Sequence, residues 1–194
     1  MALLITLWFL FFVSHSLLAA NGVKQRAEMY LGGAFRFYRI GYNLLSIIFL
    51  CGILYLMLLG DTSDSVFAPG RGSGIAGYVL MGAGLLIVIL AFRNYDLWEF
   101  TGIKQLAQHI HHPEKLMVRG LNRYVRNPLY TGVIVFIAGY FLRSPNWVNL
   151  VSLVMIYLYI YIGATLEERK LAQVFGEEYR AYQQRVKMLI PFLF

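Results

Sequence analysis

Three stretches of this chain are apolar enough and long enough to cross a bilayer: residues 2–20, 40–59 and 74–92. A hydrocarbon core about 30 Å thick takes roughly 20 apolar residues of α-helix to span. Inside it each backbone N–H and C=O must be satisfied within the segment itself. Composition agrees, with 59% apolar residues and 14% charged, well away from the soluble globular range. Two shorter stretches, 129–142 and 147–164, are joined by Arg143-Ser144-Pro145-Asn146 and read as a helical hairpin, tilted or incompletely spanning. The expected fold is an all-α integral membrane protein of about five transmembrane helices, the last two a short hairpin. A C-terminal amphipathic helix follows over residues 165–187. There Leu166, Leu171, Val174, Phe175, Tyr179, Tyr182 and Val186 recur at helical intervals, and Pro191 ends the run.

Charge placement orients the segments. The first connection carries Lys24, Arg26, Arg36 and Arg39, and the third carries Lys104, Lys115, Arg119, Arg123 and Arg126. The second, from Asp61 to Arg71, has two acids and one base. The positive-inside rule puts the first and third connections and the C-terminus in the cytoplasm, with the N-terminus outside. No basic residue precedes the first apolar stretch, and its run is longer than a signal-peptide core, so it is kept as a helix. The net charge of +7 sits beside membrane segments, where it attracts anionic headgroups, and no nucleic-acid-binding motif accompanies it. Cys51, alone in an apolar helix, excludes a disulfide framework and is read as packing. Trp8, Trp98 and Trp147 fit interfacial belts. His15, between Ser14 and Ser16, is read as a local hydrogen bond or helix contact. His109, His111 and His112 lack a neighbouring Cys, and no metal is expected there.

The chain divides into residues 1–93, a three-helix membrane unit, and residues 94–194, where polar and apolar segments alternate. In the first, Gly74, Gly77, Gly82 and Gly84 with Ala76 and Ala83 line the third helix, small residues that let helices approach closely in lipid. The glycine-rich run 70–74 lacks a following Lys-Ser/Thr pair and reads as a turn. In the second, Arg126-Asn127-Pro128-Leu129-Tyr130-Thr131-Gly132 opens the hairpin. Glu167-Glu168 starts a polar block running through Phe175-Gly176-Glu177-Glu178-Tyr179, and Ile190-Pro191-Phe192 lies near the end. Polar groups beside hydrocarbon cost several kcal/mol when unsatisfied, roughly 2–7 by transfer measurements, so two such blocks bracketing a short hairpin point to a bound polar molecule. Glu168, Glu177 and Glu178 read as a solvated helix face that pairs with Arg169, Lys170 or Arg180. Arg126 reads as a headgroup anchor, with a cofactor carboxylate as the alternative partner.

These blocks resemble the isoprenylcysteine carboxyl methyltransferase family. Residues 126–132 are similar to its Arg-His-Pro-x-Tyr-x-Gly signature, residues 167–186 to its C-terminal block, and Leu116-Met117-Val118-Arg119-Gly120 to its Leu-Val-Thr-x-Gly stretch. The likeness covers about residues 100–194, and phospholipid methyltransferases and sterol reductases share parts of it. It implies an S-adenosyl-L-methionine-dependent enzyme without the soluble Rossmann fold. Its cofactor would lie among the polar linker, the hairpin and the C-terminal helix. By motif, Lys115, Leu116, Met117 and Val118 would meet the adenine end. Asn127 stands at the family's cofactor-binding His, beside Pro128 and Tyr130, and Glu167 at its cofactor-binding acid, with Gln105 and Asn122 as looser candidates. No residue is assigned as a certain catalyst; Tyr130 and Asn127 would position the groups in line. Asn122 stands where the eukaryotic pattern has Tyr, and Gly163 where those enzymes place a substrate-binding Arg.

The residues support this chemistry on their own terms. A carboxylate such as Glu167 accepts hydrogen bonds from both hydroxyls of a vicinal diol, and Tyr130 and Tyr124 offer ring faces to an adenine or a cationic sulfur. Methyl transfer from a sulfonium needs alignment and water exclusion more than proton transfer. With no evident base, carboxylate O-methylation of an isoprenylcysteine-like or other lipid-linked acid is the expected reaction. Phospholipid N-methylation, a nicotinamide-dependent membrane reductase and a non-enzymatic scaffold are the alternatives. The expected partners are a lipophilic or prenylated substrate and membrane lipids.

Overall fold

The computed structural model describes residues 1–59, 65–93, 116 and 118–190. Within these residues the chain is helical, with two isolated bridge pairs and no strand. Four helices or continuous helical runs are long and apolar enough to cross a membrane, and a shorter apolar one, Pro128–Arg143, joins them. The multi-pass membrane architecture read from the sequence therefore holds. The helices form two compact units.

The first unit holds α1 (Ala2–Ala19), α2 (Asn21–Leu31), a 3-10 segment (Gly32–Phe37) and α3 (Tyr38–Leu59). The basic first connection is thus helical, set off from α1 by extended Ala20. Leu4, Trp8 and Phe11 of α1 and Tyr42, Ser46, Ile53 and Met57 of α3 are the buried positions, at intervals that keep one face of each helix inward. Near one end of the pair the Tyr38 hydroxyl donates to the Leu18 carbonyl at 2.9 Å, and at the other Leu7 lies against Gly52. The two helices are therefore antiparallel. His15 Nδ1 and Ser46 Oγ are 2.8 Å apart, the helix contact expected of His15. The opposite faces expose Leu3, Phe9, Leu17, Ile48, Leu54 and Leu58, as lipid-facing helices do. Two expectations change here. Trp8 is 2% exposed, a packing residue of α1 rather than an interfacial one, and Cys51 lies on the exposed face of α3 rather than in its packing.

The second unit holds α4 (Arg71–Phe92), a 3-10 turn (Gly120–Arg123), α5 (Pro128–Arg143), α6 (Trp147–Phe175) and α7 (Glu177–Arg185). Its centre is the contact of α4 with α5. A Cβ built on Gly84 would lie 2.5 Å from the Phe136 nitrogen, and one on Gly77 2.7 Å from the Gly139 carbonyl oxygen. Gly132 and Gly139 are equally closed, by Val88 and Gly84 and by Gly77 and Met81. The pairing of 77 with 139 and 84 with 132 makes α4 and α5 antiparallel, with backbone on backbone. Of the glycines expected to pack, Gly77 and Gly84 do so, while Gly74 and Gly82 face open space.

Helix ends follow from local chemistry. Pro128 sits at the first turn of α5, where its missing N–H is harmless. Asn146 Oδ1 caps α6 by accepting from the Asn149 amide at 2.8 Å. At 29 residues α6 is about 44 Å long, more than the hydrocarbon core requires. The single amphipathic helix expected over 165–187 is instead the end of α6 and a separate α7. Gly176, at φ +54°, supplies the left-handed break between them. The second helix ends at Arg185, before Pro191, because the chain beyond it turns extended to pair with residues 125–127.

Candidate active site

Residues 125–131 enter α5 alongside the chain that leaves α7. Val125 and Lys187 form a parallel bridge; the Arg126 amide donates to the Lys187 carbonyl at 2.8 Å and the Asn127 amide to Met188 at 3.1 Å. The Thr131 hydroxyl lies 2.6 Å from the Leu189 carbonyl. The C-terminal strap is thereby stitched to the start of α5.

Glu167 and Glu168 are consecutive on α6, so they point about 100° apart. Glu168 turns inward. Arg126 forks onto it, Nε to Oε1 at 2.6 Å and Nη2 to Oε2 at 2.8 Å, with the two side chains only 10% and 9% exposed. Gln183 Nε2 and Asn127 Nδ2 donate to the same carboxylate at 3.0 and 3.2 Å. Arg126 Nη1 donates to the carbonyls of Gln183 and Val186 at the end of α7. A buried charge needs a partner and filled hydrogen bonds, and this bidentate pair supplies both. It corrects two expectations: Glu168 is not on a solvated face, and Arg126 is not a free headgroup anchor. Glu177 does pair with Arg180, at 2.7 Å on the exposed side of α7.

Glu167 turns outward and is exposed, and the Tyr130 hydroxyl donates to its Oε2 at 3.0 Å. Its other oxygen, Oε1, has no partner among the described residues. Tyr179 is buried beside the inner cluster, and burial, reinforced by the negative charge of Glu168, pushes its hydroxyl above the ordinary tyrosine range. Asn122, on the 3-10 turn, donates from its amide to the Arg126 carbonyl at 3.2 Å, and its own carbonyl accepts from the Tyr182 hydroxyl at 2.5 Å.

The expected site residues therefore fall into three groups. Tyr130 and Glu167 meet on an exposed face. Asn122, Asn127 and Pro128 belong to the buried network that supports it, Asn127 with its amide on Glu168 and 8% exposed. Leu116 is half-buried and Val118 exposed, while Gln105, Lys115 and Met117 lie outside the described residues, as do Trp98, Pro191 and the His109, His111 and His112 run. Gln183, Thr131 and Glu168 were absent from the expected set. Their signal was weak, since each is an ordinary helix-surface residue until the helices are assembled.

Comparison with known proteins adds the following. Methanethiol S-methyltransferase of Pseudomonas deceptionensis is 31% identical over 98% of this chain and 71% of its own length. Methanethiol S-methyltransferase 1 of Bradyrhizobium diazoefficiens is 35% identical over 56% of this chain, a stretch that covers only 39% of that relative. Protein-S-isoprenylcysteine O-methyltransferase B of Arabidopsis thaliana is 28% identical over 48% of this chain and 47% of its own length, so the likeness read from the motifs recurs here. Two of these three relatives are thus matched over less than half their length. No solved structure matches the chain. The family model for phospholipid methyltransferases matches residues 73–178, from the glycine-lined α4 to the start of α7. Spanning more than half of the sequence, that match makes the chain a member of the phospholipid methyltransferase family.

Proposed function

We propose that the chain is a membrane methyltransferase that uses S-adenosyl-L-methionine and acts on a small lipophilic nucleophile, a thiol before a carboxylic acid. The observation that carries it is the exposed Tyr130–Glu167 pair on the outer side of a fully hydrogen-bonded Arg126–Glu168 cluster. The donor set fits the cofactor: Glu167 keeps an oxygen for the ribose diol, and the Tyr130 ring adjoins it as a surface for adenine or sulfonium. When bound, the cofactor supplies a methyl group on a cationic sulfur, open to direct displacement. In this reading residues 94–194 form the cofactor-binding region, with Lys115, Leu116, Met117 and Val118 assigned to the adenine end and Gln105 to the cofactor by motif alone. Asn127 and Pro128 fix the start of α5 and with it the place of Tyr130 in its first turn. The apolar walls of the spans exclude water and admit the acceptor from lipid. The site faces the cytoplasm, on the side of the basic connections, with the N-terminus outside.

Two observations favour a thiol. The Pseudomonas relative matched over nearly all of this chain is named for methanethiol. Arg126, the cation next to the pair in the motif, has Nε, Nη1 and Nη2 engaged by Glu168 and two carbonyls, so it has little to offer an acceptor carboxylate. Carboxyl O-methylation is the second reading, supported by the Arabidopsis relative's name. The two differ in pH dependence. A thiol reacts as its thiolate, so with an alkanethiol the rate should climb close to tenfold per pH unit below a thiol pKa of about 8.5 or higher. A carboxylate is already ionised, and its rate should be flat from about pH 6 to 8. Label transfer from methyl-labelled cofactor to an alkanethiol and to a prenylcysteine analogue, followed across that range, tests it. Transfer only to the prenylcysteine, with a flat profile, would overturn the thiol reading; transfer to neither would remove both acceptor readings.

A further inference from the structure

Glu168 and Arg126 do more than neutralise each other, because of what else they hold. Glu168 adjoins Glu167 on α6, and Arg126 lies four residues before Tyr130 at the entry to α5. One ion pair thus fixes the α6 turn and the α5 entry that carry the two members of the exposed pair. The same guanidinium closes on the carbonyls of Gln183 and Val186, and Gln183 returns a hydrogen bond to Glu168. The strap beyond α7 is held to the same stretch by the backbone bonds from Arg126 and Asn127. Arg126 thereby joins the linker, α6 and the end of α7 through one side chain.

We propose that Arg126, Glu168 and Gln183 are positioning residues that couple docking of the C-terminal segment 177–190 to cofactor binding, so that the site is competent only when that segment is seated. This rests on the reading of Tyr130 and Glu167 as cofactor contacts. Coupling is reciprocal: if a seated segment favours the cofactor, the cofactor must stabilise the seated segment. The Val186 amide, which donates to the Tyr182 carbonyl at 3.0 Å, reports on seating without lying in the exposed pair.

The test is hydrogen exchange of the wild-type protein in nanodiscs, with and without saturating S-adenosylhomocysteine, combined with binding titrations of three variants. Exchange at Val186 should slow on binding. Arg126→Lys keeps the charge but loses the fork, and should weaken binding roughly tenfold, the scale of one charge-assisted hydrogen bond. Gln183→Ala, which leaves the ion pair intact and folds even if Arg126→Lys does not, should weaken it by about half that on a logarithmic scale. Each should raise KM for the cofactor and leave KM for the acceptor unchanged, which a general loss of structure would not do. Glu167→Gln should abolish binding. If Glu167→Gln abolishes binding while Gln183→Ala binds like wild type and Val186 exchange is unaltered, the coupling is overturned and the site stands. If Glu167→Gln binds like wild type, the site reading fails and the coupling with it.

Discussion

The two helix pairs at the heart of the two units solve the same problem in opposite ways. In α1 and α3 the contact is made by large side chains, Leu4, Trp8 and Phe11 on one helix and Tyr42, Ile53 and Met57 on the other, with polar bridges from His15 to Ser46 and from Tyr38 to the Leu18 carbonyl. In α4 and α5 side chains are absent where the helices cross, and Gly77, Gly84, Gly132 and Gly139 bring backbone against backbone. Lipid tails are as apolar as leucine, so neither pair is driven together by exclusion from water; close packing and hydrogen bonds do that work. Side-chain packing leaves room to adjust by changing rotamers. Backbone contact leaves none. The rigid pair is the one whose α5 begins with Pro128 and carries Tyr130, and rigidity there suits a site that must align groups to fractions of an ångström.

The sharpest break of that comparison is at Gly84. Gly84→Leu should separate α4 from α5 and prevent the second unit from forming, well beyond the roughly 1–3 kcal/mol usual for overpacking, because the obstacle is the Phe136 backbone. Gly82→Leu, in open space on the same helix, should leave thermal stability in detergent within about 1 kcal/mol. Equal melting of the two variants would refute the backbone contact.

A smaller effect separates the polar contacts. The Tyr179 hydroxyl is held above its ordinary value of about 10, so the native state keeps that proton more tightly than the unfolded chain. Its contribution to stability is fully present below about pH 10 and is lost as pH rises beyond it. Tyr179→Phe should flatten that alkaline loss in a series of melts from pH 8 to 11, and an unchanged loss in that variant would mean that Tyr179 does not carry it. The smallest effect belongs to the first unit. Ser46→Ala removes the His15 bridge and should cost about 0.6 kcal/mol, the average for a hydrogen bond between membrane helices. A loss above 2 kcal/mol would mean that α1 and α3 depend on that bridge rather than on their large side chains.

Much of this was legible in the chain. Helix spans follow from where apolar runs meet charges: the third began at 74 by hydropathy and begins at Arg71 in the fold, because a helix cap can precede the membrane boundary. The glycines of α4 announced a close approach, and their seven-residue spacing from 77 to 84 is repeated from 132 to 139, a match that could have named the partner helix. Trp8 was misjudged because hydropathy gives the depth of a residue in a membrane and not which side of the helix it occupies. The Arg126–Glu168 pair was hidden for a related reason. Its members are 42 positions apart, and nothing local says which of two adjacent glutamates turns inward. Gly176 was visible as an irregularity, but its left-handed φ, which ends α6, depends on where the strap must go.

The central claim is that the face carrying Tyr130 and Glu167 holds S-adenosyl-L-methionine. Calorimetric titration of the purified protein with S-adenosylhomocysteine, beside a parallel titration with reduced nicotinamide dinucleotide phosphate, tests it most directly. The account predicts saturable binding of the first, lost in Glu167→Ala with the melting temperature preserved, and none of the second. Binding of the nicotinamide alone, or undiminished binding of S-adenosylhomocysteine by Glu167→Ala, would contradict it.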